Sequence, residues 1–371
     1  MLSKEESEMK KIYLDDMLLT KELPTSAGSK MLDGYLSPFN CAVYEKLTAA
    51  SYEIAGKTPV GEFGIDLVGE TNFDGKKASA DTLPVVSFDV NGAPRRFAAQ
   101  NGLVNIKPTY GTVSRFGTVS AACSGECVGV TAESAEQCKE ILSVIVGKDE
   151  RDGTMHADEV CKSIVNAKKA VKKIAVLKMD ADAQVNEKIA AAKKAFAVDG
   201  IEVSEIDAGV ITASGAAWNI LMCAELCNNV SRFDGIKYGY RTSNYKTLDE
   251  LYTNSRTEAF GELTKTAILY GSDVLSSPNY MGKYDKAMRV RRLISEAFTK
   301  IFTEYDAVML PACSKMSYGE TDDVFTENRY TAPASVTGLP AVTVNGVQLI
   351  GAAFTDGALL DLASTLEKGV I

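Results

Sequence analysis

Basic residues are fewer than acidic ones in this sequence, and long apolar runs and clustered cysteines are scarce. Each of these features argues against a class of protein. The 40 lysines and arginines are outnumbered by 49 acidic residues, which leaves a formal net charge of −9. Because nucleic-acid binding draws its affinity from clustered basic side chains, we expect no direct contact with nucleic acid. The one dense basic cluster, at residues 168–173, leads into an apolar strand and is interpreted as a solvated helix end.

No stretch of apolar residues is judged long enough to cross a bilayer. The first residues, MLSKEESEMKKIYL, are charged where a secretory signal would be apolar. We therefore expect a cytoplasmic protein that makes no contact with membranes.

The eight cysteines are spread along the chain without the dense framework of small secreted domains, which predicts reduced thiols. Cys123 and Cys127 share their spacing with Cys223 and Cys227, so a four-thiolate metal site is one alternative. Cys223 and Cys227, however, lie on one apolar face of a predicted helix, where cysteine usually serves as a small core residue. We favour the core interpretation and expect neither a metal nor a cofactor.

The chain has no internal repeat, low-complexity stretch or linker, which favours one continuous domain over residues 1–371. Thr131 or Ser134 is placed to cap a helix over residues 135–147. A βαβ-like unit follows, with a strand at 172–178, a helix at 183–198 and a strand at 201–206.

Further along, helical patterns cover about 247–270 and 283–305, and AVMLPAC, at 307–313, contains a short apolar strand that is stopped by Pro311. Asn345-Gly346 lies between two β-rich runs, which predicts a hairpin, and a final helix is predicted at 356–368. Strands and helices that alternate in this way indicate a layered α/β fold.

The run NGLVNIKPTYGTVSRFGTVSAACSGECVGVTAESAEQCKEIL resembles the second half of the amidase signature. Within that family it is most similar to the A subunits of glutamyl-tRNA(Gln) and aspartyl-tRNA(Asn) amidotransferases. Segments at 14–47, 55–63, 224–241, 251–262 and 284–311 extend the likeness in family order. The resemblance implies a single domain with a central mixed β-sheet flanked by helices on both faces, in a shortened form that lacks the family's N-terminal helices and several loops.

Family members cut amides with a lysine, a serine in a cis peptide and a nucleophilic serine, and the resemblance implies that this chain has lost all three. The family lysine precedes an aspartate, and Leu14 stands in that place before Asp15. Leucine cannot accept a proton. Lys10 and Lys11 lie upstream, but sliding the strand by three residues would reverse the face of each side chain.

The nucleophile position falls on Ala93, with Asp89, Gly92 and Arg95 matching the family's neighbouring residues in SFDVNGAPRRF. Alanine has no nucleophilic atom. The Gly-Ser-rich loop that should supply the bridging serine is missing, and Ser79, the only serine in residues 68–84, is expected in an ordinary exposed loop. Removing a nucleophilic serine typically lowers the turnover number by a factor on the order of 10⁶.

Several other positions bear on a vestigial pocket, which we predict from Asp89, Asn91, Gly92, Arg95, Tyr280 and Asn328. Asn328 stands where glutamine-using relatives carry an aspartate, and Tyr280 falls near a pocket tyrosine of the family. Glu126 replaces an aspartate beside the site, and Lys107 is interpreted as structural. His156, the only histidine, lies in a polar stretch and is expected on the surface.

Three functions follow as hypotheses. The first is an amidotransferase-A-like pseudoenzyme that serves as a scaffold or a binding partner, beside proteins like the family's B and C subunits. The second is an active amidase, or a glutamine-dependent amidotransferase component, that uses displaced groups. The third is a binder of small amides or carboxylates at the turn of Asn91 and Gly92, whose backbone donors survive the loss of a side chain. We favour the first, because a fold alone does not imply activity.

Overall fold

The computed structural model describes residues 9–166, 170–317 and 324–368. Its strands are β1 (Lys10–Asp15), β2 (Tyr52–Thr58), β3 (Val85–Asp89), β4 (Val104–Lys107), β5 (Cys127–Ala132), β6 (Lys173–Leu177), β7 (Glu202–Ile206), β8 (Ala307–Pro311), β9 (Ala341–Val344) and β10 (Val347–Gly351). They form one sheet in the order β2–β1–β3–β5–β4–β9–β10–β8–β6–β7.

The α-helices cover both faces of this sheet. They are α1 (Ala42–Ala49), α2 (Ala93–Asn101), α3 (Ala135–Ile145), α4 (Asp158–Asn166), α5 (Ala183–Val198), α6 (Ser214–Asn229), α7 (Leu248–Ala259), α8 (Glu262–Leu275), α9 (Tyr284–Ile301), α10 (Val324–Glu327), α11 (Ala332–Thr337) and α12 (Asp356–Lys368). Short 3-10 turns lie at Lys30–Leu32, Glu62–Gly64, Gly209–Ala213 and Val230–Arg232.

The sheet is mixed. β1 pairs in parallel with β2 and β3 at one edge, and β6 pairs in parallel with β7 and β8 at the other. Between these groups, β3, β5, β4, β9, β10 and β8 pair antiparallel in that order. Every residue of these six strands is buried, as expected for a sheet that has helices on both faces. The predicted α/β architecture is confirmed.

Most of the predicted elements are present at the predicted places. The helix α5 covers residues 183–198 as the sequence indicated, and Ser134 is the residue that caps α3, by accepting a hydrogen bond from the N–H of Gln137. Asn345 and Gly346 have φ angles of 48° and 80° and connect β9 to β10, as the two left-handed residues of a tight hairpin turn should.

The single helix predicted over about 247–270 is wrong, because the chain leaves the helical conformation at Phe260 and Gly261 and forms α7 and α8. A buried carboxylate stabilises the break. Glu62 Oε2 accepts the N–H of Gly261 at 2.9 Å and also the hydroxyl of Thr264, so it caps the start of α8 from a distant segment. A local helical pattern gives no sign of this contact.

One helical run in the described residues, Gly209–Arg232 around α6, is long and apolar enough to satisfy the length and composition of a membrane span. The expectation that no run reaches this length is therefore corrected. Of the most apolar window of the run, 56% is buried inside the protein, and a core helix passes the same test. Part of the predicted basic cluster, Lys168 and Lys169, lies outside the described residues.

Candidate functional site

A cavity of about 380 Å³ opens beside the start of α2, where β1 and β2 end. Asp15 and Thr58, the last residues of β1 and β2, lie on its wall together with Ser87 and Phe88 of β3. The first residues of α2 form another wall, and loops at 59–70 and 77–83 close the sides. Its size falls in the usual range for small-molecule sites.

Ala93, at the predicted nucleophile position, lines this cavity as the first residue of α2. Its methyl group is the only side-chain atom that it presents there. Pro94 follows, and since proline lacks an N–H, the first turn of α2 has one backbone donor fewer for an anion. Pro94 is a feature of the site that the sequence reasoning missed.

Leu14, at the predicted lysine position, is fully buried in the core and does not line the cavity. It pairs with Lys57 across β1 and β2, while the next residue, Asp15, pairs with Thr58. Successive side chains of a strand point to opposite faces. The side chains of Asp15 and Thr58 therefore lie on the cavity wall. Leu14 points to the other face of β1, so it does not share the cavity with Ala93.

Arg95 lies in a buried network behind the cavity wall. Its Nε and Nη2 atoms bond both carboxylate oxygens of Asp89, at 2.7 and 3.0 Å. The other hydrogens of the guanidinium go to the carbonyl oxygen of Thr331, to Gln348 and to Ser335, at 2.6 to 2.8 Å. These contacts use all five N–H donors of an arginine, so Arg95 has a structural role in tying α2 to distant segments.

Asn91, Gly92 and Asn328 belong to the same buried region. Asn328 Nδ2 donates to Asn91 Oδ1 at 3.2 Å and to the side-chain oxygen of Asn219 at 2.7 Å. An aspartate at position 328 would have no hydrogen to donate to these two oxygens. Thr331 packs against Gly92, which has a φ of +94°, and leaves no room for a Cβ atom.

The structure brings together five of the six residues of the predicted vestigial pocket, beside the cavity. Asp89, Asn91, Gly92, Arg95 and Asn328 come together, but none of them is on the cavity wall. Tyr280, the sixth, lies apart from them in the turn between α8 and α9. It is 42% exposed and its ring contacts that of Tyr284.

The remaining candidate residues have ordinary structural positions. Glu126 is fully buried, pairs with Arg115 at 3.2 Å and accepts two backbone N–H groups. Lys107 is also buried and donates to the carbonyl oxygen of Leu339 at 2.9 Å, in agreement with the structural interpretation. His156 is exposed, as expected, and its ring meets the edge of Phe354.

The side-chain amine of Lys57 contacts the hydroxyl of Thr25, and the sequence reasoning missed this pair. Lys57 is largely buried and lies 3.7 Å from Asp16, which in turn bonds Ser26. Burial lowers the pKa of Lys57 to about 8, against the opposing charge of Asp16. Lys57 and Thr25 do not line the cavity, and Thr25 is fully buried.

Ser79 and Lys77 lie at the rim of the cavity, so the expectation of an ordinary exposed loop is right about exposure but omits the cavity. The hydroxyl of Ser79 donates to Asp81 at 3.0 Å, and Lys77 is paired with Glu70 at 2.9 Å. Each of these two side chains therefore has a carboxylate as its partner, which is not the arrangement of a catalytic pair.

The eight cysteines are free thiols. In residues 9–166, 170–317 and 324–368, no group of three or more histidine, cysteine, aspartate or glutamate side chains is placed to hold a metal ion. Cys223 and Cys227 both lie on α6, and Cys223 is fully buried, which agrees with the interpretation as core residues.

Asp15 is a buried ionisable group on the cavity wall, as are Asp66 and Arg96. Thr58 Oγ1 donates to Oδ1 of Asp15 at 2.6 Å, and the N–H of Phe88 donates to its Oδ2 at 2.7 Å. Burial raises the pKa of Asp15 to about 7, aided by repulsion from Asp16 and Asp89 and opposed by the two hydrogen bonds.

Because the folded chain holds this proton to a higher pH than the unfolded chain, Asp15 contributes stability below pH 3.8, and the contribution is lost as the pH rises to about 7. We expect the variant Asp15→Asn to match the wild type near pH 4 and to be more stable by about 1–2 kcal/mol at pH 8, allowing for a weaker bond to Phe88. Urea unfolding at both pH values measures this. The exposed Asp33→Asn is the control, and equal or lower stability of Asp15→Asn at pH 8 would contradict the expectation.

The chain is an α/β protein with a mixed sheet covered by helices, and its cavity lies where β1 and β2 end, beside the start of α2. Comparison with known proteins gives the family. The model of the family described as Amidase matches residues 12–77 and 88–360, so the chain belongs to the amidase family.

The A subunit of glutamyl-tRNA(Gln) amidotransferase from Lachnoclostridium phytofermentans is 31% identical over 407 residues, with 96% of this chain and 82% of the relative covered. The protein of the same name from Nitrosococcus oceani is 34% identical over 395 residues, with 95% and 82% covered. The crystal structure of the Thermotoga maritima protein of that name matches with a TM-score of 0.78 and 26% identity, over 97% of this chain and 83% of the other. The chain is thus similar to the A subunits of amidotransferases over nearly its whole length.

Proposed function

We propose that this protein is a member of the amidase family that no longer hydrolyses amides and serves as a scaffold or a binding partner. One observation carries the proposal: the residue that begins α2 on the cavity wall is Ala93, whose methyl group can neither attack a carbonyl carbon nor lose a proton. Two others support it. Leu14 supplies no base, and the family match is interrupted at 78–87, where the bridging serine would lie.

An enzyme with displaced groups is the second candidate, and the contact between Lys57 and Thr25 is the observation that favours it. A lysine with a pKa of about 8 is partly neutral at pH 8 and can accept a proton. Thr25, however, is fully buried, so a substrate would have to displace the surrounding chain to reach it.

The experiment is an assay of ammonia release from glutamine, asparagine and aliphatic amides. We expect a rate equal to that of buffer alone, because loss of the nucleophile typically lowers turnover by a factor on the order of 10⁶. An amidotransferase complex from a relative serves as the positive control. The variant Ala93→Ser should stay inactive, since position 14 still lacks a base. Turnover by the wild type that disappears in Lys57→Met would replace the proposal by the second candidate.

Partners and location belong to the same proposal. The relatives are named as subunits, and we propose that this chain also assembles with proteins of the B and C kind in the cytoplasm, as one domain over residues 1–371. We expect these partners to copurify with the tagged chain from its native host. The ammonia assay is then repeated with them, and release by the assembled complex would show that hydrolysis needs the partners.

Binding of a carboxylate or an amide at the turn of Asn91 and Gly92 is less favoured, because Thr331 fills the space beside Gly92.

A further inference from the structure

Asp15 has an unused capacity for hydrogen bonding on the cavity wall. Each of its carboxylate oxygens accepts one hydrogen bond from the protein, from Thr58 and from the N–H of Phe88. A carboxylate oxygen has two lone pairs, so each can accept a further hydrogen from a ligand in the cavity. The residue is only 7% exposed, which means that water competes weakly for these positions.

Within the described part of the chain, the charge of Asp15 also lacks a counter-ion, unlike the charges of Asp16 and Asp89. Asp16 lies 3.7 Å from Lys57, and Asp89 is bonded by Arg95 at 2.7 Å. Asp15 has no cation within 4.0 Å among the residues that the structure describes. A buried carboxylate without a partner is costly, so a ligand that supplies a positive charge would gain the most at this position.

The other charged groups of the cavity are already used to shape its walls. Arg96 Nη2 donates to the carbonyl oxygen of Val68 at 2.8 Å, and Lys77 pairs with Glu70. Asp66 accepts the N–H groups of Val68, Glu70 and Thr71, at 2.6 to 2.8 Å. These contacts fix the loop at 66–71, which forms one side of the cavity.

The rest of the wall is apolar enough to hold a hydrocarbon. Val60, Val85, Phe97 and Met316 face the cavity, together with the methyl group of Ala93. Burial of apolar surface contributes roughly 25 cal/mol for each Å², so an aliphatic body would add to the binding of a charged end.

We infer that this cavity binds a small primary amine, with the ammonium group on Asp15 and an aliphatic body against the apolar wall. The inference rests on the proposed function in one respect: the cavity binds its ligand without a hydrolytic reaction. A serine at position 93 would have put a reactive hydroxyl into the same space, whereas Ala93 adds only apolar surface.

The test is calorimetric titration of the full chain with n-pentylamine, which has no amide bond to cleave. Pentan-1-ol and pentanoate are the neutral and anionic controls of the same length. We expect binding of the amine alone at pH 8. Because a proton competes for the same carboxylate, affinity should fall about tenfold for each pH unit below 6, with release of close to one proton for each amine bound near pH 6.

Two variants make the test specific. Asp15→Asn should weaken amine binding at least tenfold at pH 8 while its thermal unfolding shows a folded protein. Ala93→Leu, which fills the cavity and leaves Asp15 in place, should weaken binding by a similar factor. The exposed Asp33→Asn should bind as the wild type does.

The inference is overturned if pentan-1-ol or pentanoate binds as well as the amine, if both cavity variants bind normally, or if no amine binds between pH 6 and 9. Failure of the proposed function gives a different result. Release of ammonia from amides would refute the proposed loss of hydrolysis and would leave the inference of amine binding intact. Absence of amine binding would refute that inference and would leave the proposed loss of hydrolysis intact.

Discussion

Replacing Arg95 by alanine should lower the free energy of unfolding by about 3–5 kcal/mol, the cost of removing one member of a buried ion pair. Arg95 is fully buried, and its loss would leave the carboxylate of Asp89 without a partner charge. The side chains of Gln348 and Ser335 would also lose a hydrogen bond each. Urea unfolding followed by circular dichroism measures the change.

The matched control is Arg292→Ala. Arg292 also pairs with a carboxylate, that of Glu296 at 2.8 Å, but its side chain is 81% exposed. We expect this substitution to change stability by no more than about 0.5 kcal/mol. If the two variants were equally stable, the buried network would not be what fixes α2 to the sheet. Arg95→Lys should be intermediate, because lysine keeps the charge without the planar, two-pronged contact.

Gly271→Ala should destabilise the protein by about 3 kcal/mol through the packing of α6 against α8. A Cβ atom at Gly271 would overlap the backbone carbonyl of Cys223, far inside the 3.0 Å that real Cβ atoms respect. A backbone carbonyl cannot relieve the overlap by changing rotamer as a side chain can, so α6 and α8 would have to move apart. The loss should appear even though alanine favours a helix over glycine by about 1 kcal/mol.

Leu269→Ala serves as the control for this substitution, because Leu269 lies on the same helix and is 72% exposed. It should leave stability within about 0.5 kcal/mol of the wild type. An increase in stability for Gly271→Ala would mean that the helices already have room at this crossing.

The fold was largely predictable because its signals are local or come from a long family likeness. The hairpin at Asn345-Gly346 and the helix at 183–198 follow from turn chemistry and helical spacing within short windows. The break at Gly261 could not be predicted in this way, since its stabilising carboxylate, Glu62, comes from a segment about 200 residues earlier. Such a long-range contact does not change the periodicity of apolar residues within the helix.

The site was predictable only in part. Position 93 falls on the cavity wall, as its place in the family pattern indicated, but Leu14 and the five clustered polar residues do not. Which face of β1 meets the cavity depends on strand pairing, and this pairing puts Asp15 there. A motif gives the order of residues along the chain, whereas the wall of a cavity is decided by which way alternate side chains point.

The order of strands determines when the sheet can be completed during translation. The hairpin of β9 and β10 lies between β4 and β8, and it is translated after the other strands that the structure describes. Until residues 341–351 leave the exit tunnel, the two parts of the sheet have exposed edges toward each other, and Arg95 lacks Gln348. A nascent chain stalled before this point would leave β4 and β8 each with an unpaired edge, the kind of surface on which partly folded chains associate.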